Sequence, residues 1–565
     1  MGIKLNRRAR WRVLPSVPDE YLNDSAQPYV IAQLLYNRSV KSGEIEAFLA
    51  GDDRLEGNPF MLPDISQAVS RVYKALLAGQ KIAIYSDFDV DGVTATVILV
   101  EGLSRLGAQV VFHIPDRFSE GHGLKTPALE NLKAQGVDLV ITADCGVTDL
   151  AEVKLAKKMG MDVVVTDHHI PLTSLPEAIA VVDAKRRDSV YPSPDLAGAG
   201  VAFKFLQALF HRKRDEKWLS RFLDLVALAT VTDLVSLVGE NRYLVKEGLK
   251  ELNRSSRVGI QEMVKLAGLR LGELDTEHIS WVIGPRLNAT GRMNNALASY
   301  QLLTTQSQEE ARLLALELEE KNAERQKLTS EVLSRARERL ASRIHLPLLI
   351  EADESYSVGV IGPVAGKLAD ELYKPTIIIS VGPELCQGSC RSIPEFDVAS
   401  ALAECRDVLT TFGGHPMAAG FTVPRQNLAQ LEKRLMSMAT ERLGHLDLYP
   451  ELVVDAELPL STFTGETFNL MQRLSPFGRS NPQPSFLTRQ VEVVECRNFG
   501  NHGEWLRLKL KQGNIIWQAV CFEPQRAREE VPCHIDIVYN LQTRRWNGED
   551  VLSLSLRDFA PSQGC

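Results

Sequence analysis

The spacing of apolar positions changes character at residue 81. Before it, residues 24–80 carry apolar side chains at helical spacing, as in Val30-Ile31-Ala32-Gln33-Leu34-Leu35 and Ile65-Ser66-Gln67-Ala68-Val69. From Lys81, short runs rich in Val and Ile at 81–85, 109–114, 137–142 and 162–166 alternate with helical patterns at 94–106 and 149–159. That alternation predicts a parallel sheet with crossover helices. An apolar helical run follows at 223–231, and residues 308–341 are charged almost throughout. They predict one long helix, roughly 50 Å if continuous at about 1.5 Å per residue. No sustained heptad seam runs along it, so it reads as a strut between domains rather than a coiled coil. A second alternating stretch has strands at 347–350 and 376–379 and helices at 362–372 and 398–406. The remainder, with short strands and a helix near 466–474, is consistent with an oligonucleotide-binding barrel.

The fold class expected is therefore α/β: two α/β domains joined by a long helix, plus a C-terminal OB-fold β-barrel. The boundaries read as an N-terminal segment over 1–48, a first domain over 49–305, the helix over 306–344, a second domain over 345–446 and the barrel over 447–565. A chain of 565 residues exceeds one ordinary core. Its 44% hydrophobic and 24% charged residues are those of a soluble globular protein, with no run near the length of a membrane span. The N-terminus is basic (Lys4, Arg7, Arg8, Arg10, Arg12) but no apolar segment follows, so it is not a secretory signal; it reads as a solvated terminus or an arm on a polyanion. The eight cysteines are scattered without pairs, as in a reducing cytosol. A net charge of −8 argues against indiscriminate adhesion to nucleic acid but leaves room for a local basic track.

Chemistry is concentrated where the first strand ends, in Ser86-Asp87-Phe88-Asp89-Val90-Asp91-Gly92. Three carboxylates at alternate positions repel one another and attract a hard divalent cation. A calcium EF-hand loop is excluded: its twelfth position is Ile98 rather than Glu, and a strand enters the loop. An Asp-rich surface turn is the competing reading for this stretch alone. Asp144, however, follows the third strand, and Asp167-His168-His169 follows the fourth. In open α/β sheets the crevice beyond the strands' carboxyl ends is where ligands bind, so separate strand ends deliver Asp and His into one crevice. Asp233, ending the 223–231 helix, would carry little weight by itself.

The runs SDFDVDG, TADCG, TDHH and ATVTDLVSL resemble the four ordered motifs of the DHH phosphoesterase superfamily. With GPRLNATGRM, GSCRSIPEFD and FGGHPMAAG, the chain from residue 50 onward is similar to that superfamily's bacterial single-strand-specific 5′→3′ exonucleases. The resemblance implies that Asp89, Asp91, Asp144, His168 and Asp233 are metal ligands, with Asp87 a further ligand or the partner of one. Many members carry His where this chain has Tyr85, which argues against a metal bond there. Oxygen ligands with one imidazole suit Mn²⁺ or Mg²⁺ better than zinc, and Cys145 reads as a small buried thiol. Two divalent cations would hold a phosphate, acidify the attacking water and stabilise the departing oxygen. His169 is expected to orient that water, a satisfied core histidine being the alternative.

Further along, Gly284 to Arg292 reads as a loop whose Arg286, Asn288 and Arg292 hold substrate, Arg forks being suited to phosphate; a loop salt bridge is the bland alternative. Val358 to Gly362 opens a helix whose amides can hold phosphate. Ser389, Arg391 and Ser392 form a basic, hydroxylic strand end, and Gly413-Gly414 lets backbone approach a ligand while presenting His415. By resemblance His415 is a phosphate ligand completing the site. Strand alternation over 505–511 places Trp505, Arg507 and Lys509 on one face and Leu on the other, a platform for single strands or an ordinary amphipathic strand; Arg544, Arg545 and Trp546 repeat the composition. The activity implied is a metal-dependent 5′→3′ exonuclease degrading single-stranded DNA to mononucleotides. The alternatives are an oligoribonuclease or nucleotide phosphatase, or an inactive DNA-binding scaffold. The resemblance also implies a cytoplasmic monomer working with a helicase and a single-strand-binding protein.

Overall fold

The computed structural model describes residues 9–211, 215–293, 296–500, 503–523, 526, 530–546 and 549–562. The chain divides into two compact units, one of Trp11–Leu287, Ala296–Ala315 and Leu452–Cys565, the other of Met1–Arg10, Asn288–Asn295 and Leu316–Glu451.

In the first unit, strand β1 (Arg10–Val13) precedes helices α1 (Asp19–Ser25), α2 (Tyr29–Asn37), α3 (Ile45–Ala50) and α4 (Ile65–Leu77). The sheet domain then runs β2 (Lys81–Ser86), α5 (Val90–Arg105), β3 (Gln109–His113), α6 (Thr126–Ala134), β4 (Val137–Ala143), α7 (Leu150–Lys158), β5 (Asp162–Thr166) and β6 (Ala180–Val182). All pairings are parallel and the strand order is β3-β2-β4-β5-β6. The chain leaves β2 toward β3 and returns on its other side to β4, so the topological switch point lies at the carboxyl ends of β2 and β4. Helices α8 (Gly198–Phe210), α9 (Glu216–Leu219), α10 (Leu223–Thr232), α11 (Gly239–Leu252), α12 (Val258–Leu266) and α13 (Thr276–His278) follow. Helix α5 is buried along most of its length, Asp91, Thr94 and Thr96 included.

A π-helical turn, Ile279–Ile283, leads directly into α14 (Gly284–Met293) and then α15 (Leu297–Thr304). The loop expected at 284–292 is thus a helix. The helical run from Thr276 passes through Gly284 and Pro285 without a break, by way of the π-helical turn before them. Helix α16 (Gln308–Leu340) is continuous, as its charge pattern predicts.

In the second unit, α17 (Val358–Leu372), α18 (Val398–Ala403) and α19 (Leu428–Leu443) accompany strands β7 (Leu349–Asp353), β8 (Thr376–Val381), β9 (Leu385–Arg391), β10 (Thr411–His415) and β11 (Ala418–Pro424). Their order is β10-β11-β9-β8-β7, parallel only between β7 and β8. Val332, Leu333, Ala336 and Leu340 of α16 share a core with α17 and this sheet.

Strand β12 (Glu451–Val454) pairs with β1, and β13 (Ala456–Glu457), α20 (Gly465–Gln472), β14 (Ser485–Phe499), β15 (Trp505–Gln512), β16 (Ile515–Cys521), β17 (His534–Trp546) and β18 (Glu549–Pro561) follow. Strands β14-β15-β16-β18-β17 close into a five-stranded barrel through β14–β17 pairing, with β13 added alongside β14. Its core continues into the N-terminal helices, where Ile31, Leu34, Phe48 and Leu49 pack with Leu506, Leu508 and Leu510. Arg242 of α11 is fully buried and donates to the carbonyls of Phe48, Arg473, Leu474 and Ser475 at 2.6–2.9 Å. It ties helical segment, sheet domain and barrel together.

Candidate metal centre and nucleic-acid interface

The acidic residues converge at the switch point. Asp89 caps α5, its Oδ1 accepting from the amides of Asp91 (2.9 Å) and Gly92 (3.1 Å). The turn is tight enough that a Cβ on Gly92 would lie 2.3 Å from the Asp87 carbonyl oxygen. Asp91 is clamped by the start of α8: Gly198 N–H donates to its Oδ2 (2.7 Å) and Ala199 N–H to its Oδ1 (2.6 Å). Two amides at a helix N-terminus are a strong holder of a carboxylate. The same Gly198 makes room for Asp144, whose Cβ would be 2.6 Å from a Cβ added there. Asp144 has φ +62°, a left-handed conformation tolerable to Asp, and its amide donates to Thr166 O on β5.

His168 sits among these groups, its Nε2 3.0 Å from Asp144 Oδ1, 3.6 Å from Asp91 Oδ2 and 3.7 Å from Asp233 Oδ2. Three sets offer ligand atoms within 4.8 Å of one another: Asp87, Asp89 and Asp144; Asp91, His168 and Asp233; Asp144, His168 and His169. The structure thus brings together every metal-ligand candidate of the sequence. Tyr85 instead turns into the core and donates to Gly123 O, and Cys145 is buried with its thiol pushed up by burial.

These carboxylates fit divalent cations because burial and crowding of like charge at one point disfavour their ionised forms unless a cation joins them. Burial, then the neighbouring Asp87 and Asp91, pushes Asp89 up to about 6; burial, Asp91 and Asp89 push Asp233 up to about 8. Asp144 is raised well above the carboxylate range for the same reasons, and its Oδ1 is buried without a hydrogen-bond partner. His168 is shifted down by burial against the pull of Asp91.

The sequence places Asp167 at the end of the fourth strand but gives it no role. Its Oδ1 accepts from the amides of His168 (2.7 Å) and His169 (3.1 Å) and from His169 Nδ1 (2.8 Å), and its Oδ2 from Val147 N (2.9 Å). Burial opposes its charge, yet the His169 bond and nearby imidazoles bring it down to about 2. Burial likewise opposes the charge on His169, and Asp167 raises it to about 9. Two further residues come from the β3–α6 loop: His122 Nδ1 lies 2.9 Å from Asp87 Oδ2, and both its ring and the Arg117 guanidinium pack on Phe88. Nothing periodic marks them; only the topology brings them here.

A pH dependence follows for the metal-free protein. Asp89, Asp144, Asp233 and His169 bind protons more tightly folded than unfolded, so stability from them is present at low pH and lost as pH rises. The melting temperature in chelator is expected to fall between about pH 5 and about pH 9, and saturating Mn²⁺ should flatten that slope. Equal slopes with and without Mn²⁺ would contradict the assignment of these groups to a cation site.

In the second unit, cross-strand register sets His415, Ala418 and Arg391 in one row and Gly413, Gly420 and Ser389 in the next row on the same face. The small residues leave that face open between imidazole, guanidinium and hydroxyl. A Cβ on Gly362, in the second turn of α17, would lie 3.2 Å from Ser389 Oγ and 3.5 Å from Arg391 Nη2. Gly414 has φ +138°, and a Cβ there would meet Ala418 O at 2.4 Å. Ser392 does not join this face: it is buried and its hydroxyl donates to Phe396 O (2.5 Å). Arg286, Asn288 and Arg292 lie on α14, where Arg286 Nη1 donates to Val282 O (2.8 Å).

On the barrel, Leu506, Leu508 and Leu510 are buried while Trp505, Arg507 and Lys509 face outward, as alternation predicts. Trp505 packs edge-on against Phe522 (5.4 Å) and beside Phe499 (5.5 Å). Arg507 lies over Phe499 (5.0 Å) and Arg544 over Phe522 (4.9 Å). Phe499 and Phe522 were not anticipated; the side chains of Arg545 and Trp546 lie outside the described residues.

The chain matches the family models of the DHH family, N-terminal domain over residues 81–230, the DHHA1 domain over 342–441 and the RecJ OB domain over 454–558. It is 35% identical over 568 residues to the single-stranded-DNA-specific exonuclease RecJ of Bacillus subtilis, covering 99% of this chain and 72% of that one. The chain belongs to the RecJ family. The RecJ of Escherichia coli is 32% identical over 564 residues, covering 94% of this chain and 96% of that one. Among solved structures, RecJ from Thermus thermophilus in complex with Mn²⁺ superposes with a TM-score of 0.84 at 28% identity, over 98% of this chain and 80% of that one. The fold class expected from the sequence is that of the RecJ family: DHH and DHHA1 α/β domains and an OB barrel. Among the described residues, no helix is long and apolar enough to cross a membrane.

Proposed function

We propose that this protein is a metal-dependent exonuclease that degrades single-stranded DNA from the 5′ end to mononucleotides, in DNA repair and recombination. The observation that carries the reading is the intact cluster of five carboxylates and His168 at the switch point, in a chain of the RecJ family. Asp87, Asp89, Asp91, Asp144, Asp233 and His168 would hold two Mn²⁺ or Mg²⁺ ions, the ions named in two solved structures of the Thermus thermophilus RecJ. When bound, such ions acidify the attacking water and take up charge on the phosphate and departing oxygen. Asp91 is oriented for this by the α8 amides. His169 commits Nδ1 to Asp167, which leaves Nε2 to meet the attacking water. His415, Arg391 and Ser389, with Gly413 and Gly414 admitting backbone, are assigned to substrate phosphate, as are Arg286, Asn288 and Arg292 through their family motif. Ser392 is assigned to bracing that strand end, since its hydroxyl is spent on Phe396.

The barrel favours a strand over a dinucleotide or nucleotide, because Trp505, Phe499 and Phe522 with Arg507, Arg544 and Lys509 offer aromatic and cationic surface suited to stacked bases. A reducing, cytoplasmic setting accords with the free cysteines among the described residues. A monomer supplied with single strands by a helicase and a single-strand-binding protein completes the reading. Turnover of long single-stranded DNA against that of di- and tri-ribonucleotides, each with and without Mn²⁺, tests it: preference for the short RNA would favour an oligoribonuclease, and no turnover of either a scaffold.

The barrel's part is separable. Trp505→Ala is expected to spare hydrolysis of very short oligonucleotides but to release long strands partly digested, since stacking is worth about 1–3 kcal/mol per base. Lys509→Ala should lower the log–log salt slope of binding by about one. Processivity and short-substrate turnover falling together in Trp505→Ala would remove the barrel from strand holding.

A further inference from the structure

The helix that presents Asp233 is crossed at very short range by the helix that presents Arg286. Gly284, the first residue of α14, is buried, and a Cβ added there would lie 2.4 Å from Thr232 Cγ2 and 3.0 Å from Ile279 O. Thr232 is the last residue of α10, immediately before Asp233. It cannot swing aside easily: its hydroxyl donates to Leu228 O (2.7 Å) and Ala229 O (3.1 Å), which fixes a χ1 already restricted by branching. The π-helical turn Ile279–Ile283, with Gly284 N–H reaching back to Ile279 O, delivers the glycine to this contact.

The far side of Asp233 is also held. Leu234 has φ +56°, its carbonyl accepts from Arg479 Nη1 (3.1 Å), and Leu237 N–H donates to Arg479 O (2.8 Å) on the loop before β14. A displacement at Thr232 is therefore passed to Asp233 rather than absorbed beyond it.

We infer that Gly284 is a positioning residue of the metal centre: its missing side chain lets α14 seat on Thr232, and that seating fixes Asp233 beside His168. The inference rests on the reading of Asp233 as a ligand. Gly284→Ala is expected to weaken Mn²⁺ binding, followed by calorimetry, about tenfold, equivalent to about 1.4 kcal/mol. Turnover at saturating Mn²⁺ should fall less than turnover at limiting Mn²⁺. Thr232→Ala, which leaves a small gap at the seat rather than a clash, should lose less Mn²⁺ affinity than Gly284→Ala. The double variant Thr232→Ala, Gly284→Ala should recover most of the loss, because the 2.4 Å clash with Thr232 Cγ2 is gone and Thr232's Cβ position lies at 3.6 Å, leaving only the 3.0 Å approach to Ile279 O. A defect of packing alone would lower the melting temperature without this metal-specific rescue. If Gly284→Ala does not fold, the double variant still decides the matter. Wild-type affinity in Gly284→Ala, or a double variant that fails to fold or binds as weakly as Gly284→Ala, would overturn the inference. Asp233→Asn, measured alongside, should itself lose affinity; wild-type affinity there would instead overturn the ligand reading on which the inference stands.

Discussion

Asp144→Asn is expected to lower turnover by on the order of 10³-fold or more, the scale of losing a charge-stabilising group at a reacting phosphate. It is also expected to raise the melting temperature of the metal-free protein. Asp144 is the carboxylate shared between two of the three ligand sets, so losing its charge affects the whole cluster. It is buried among Asp91, Asp89, Asp87 and Asp233, all of which oppose its ionisation. Asparagine removes one buried like charge while keeping shape, and it tolerates the left-handed backbone at this position better than alanine would. Melting with chelator, Mn²⁺ titration and turnover together check this. Near-normal turnover in Asp144→Asn would remove the proposed centre.

Asp167→Asn is expected to cost about 10²-fold in turnover with a smaller loss of Mn²⁺ affinity than Asp144→Asn, in the range seen when a group orienting a metal site is changed. Asp167 receives both histidine amides and the His169 ring on one oxygen and Val147 N–H on the other. The neutral amide cannot accept on both sides, so one bond is lost and the ring loses its charge partner. With that partner gone His169 no longer rests near 9, and the pH–rate profile should be displaced toward the ordinary imidazole range. An unchanged profile with unchanged turnover would make His169 a satisfied histidine with no part in the reaction.

The parts of the site legible in the sequence are those written in local pattern. Strand alternation ended at Asp89, Asp144 and His168 because a parallel sheet aligns its carboxyl ends, and the same period set Trp505 opposite Leu506. The long helix was legible because charge persists through every turn of 308–341. What escaped was written in contacts between distant segments. The amides of Gly198 and Ala199 reach Asp91 across 107 and 108 positions, and the small-residue run Ala197-Gly198-Ala199-Gly200 gives no sign of its target. His122 reaches Asp87 from a loop without periodicity. Ser392 looked equivalent to Ser389, but β9 ends at Arg391 and the hydroxyl just beyond it donates to Phe396 O. The helix at α14 was misread because glycine and proline are read as loop punctuation, whereas here the helical run continues through them by way of a π-helical turn.

The central claim, cation-dependent attack on the 5′ end of a single strand, is tested most directly by following one long strand labelled separately at its 5′ and 3′ ends. With Mn²⁺, the 5′ label should appear first, as a mononucleotide, while the 3′ label stays on a shortening strand. Chelator should stop both, and a blunt duplex of the same sequence should remain intact. Release of the 3′ label first, persistence of cleavage in chelator, or digestion of the duplex at the single-strand rate would contradict the account.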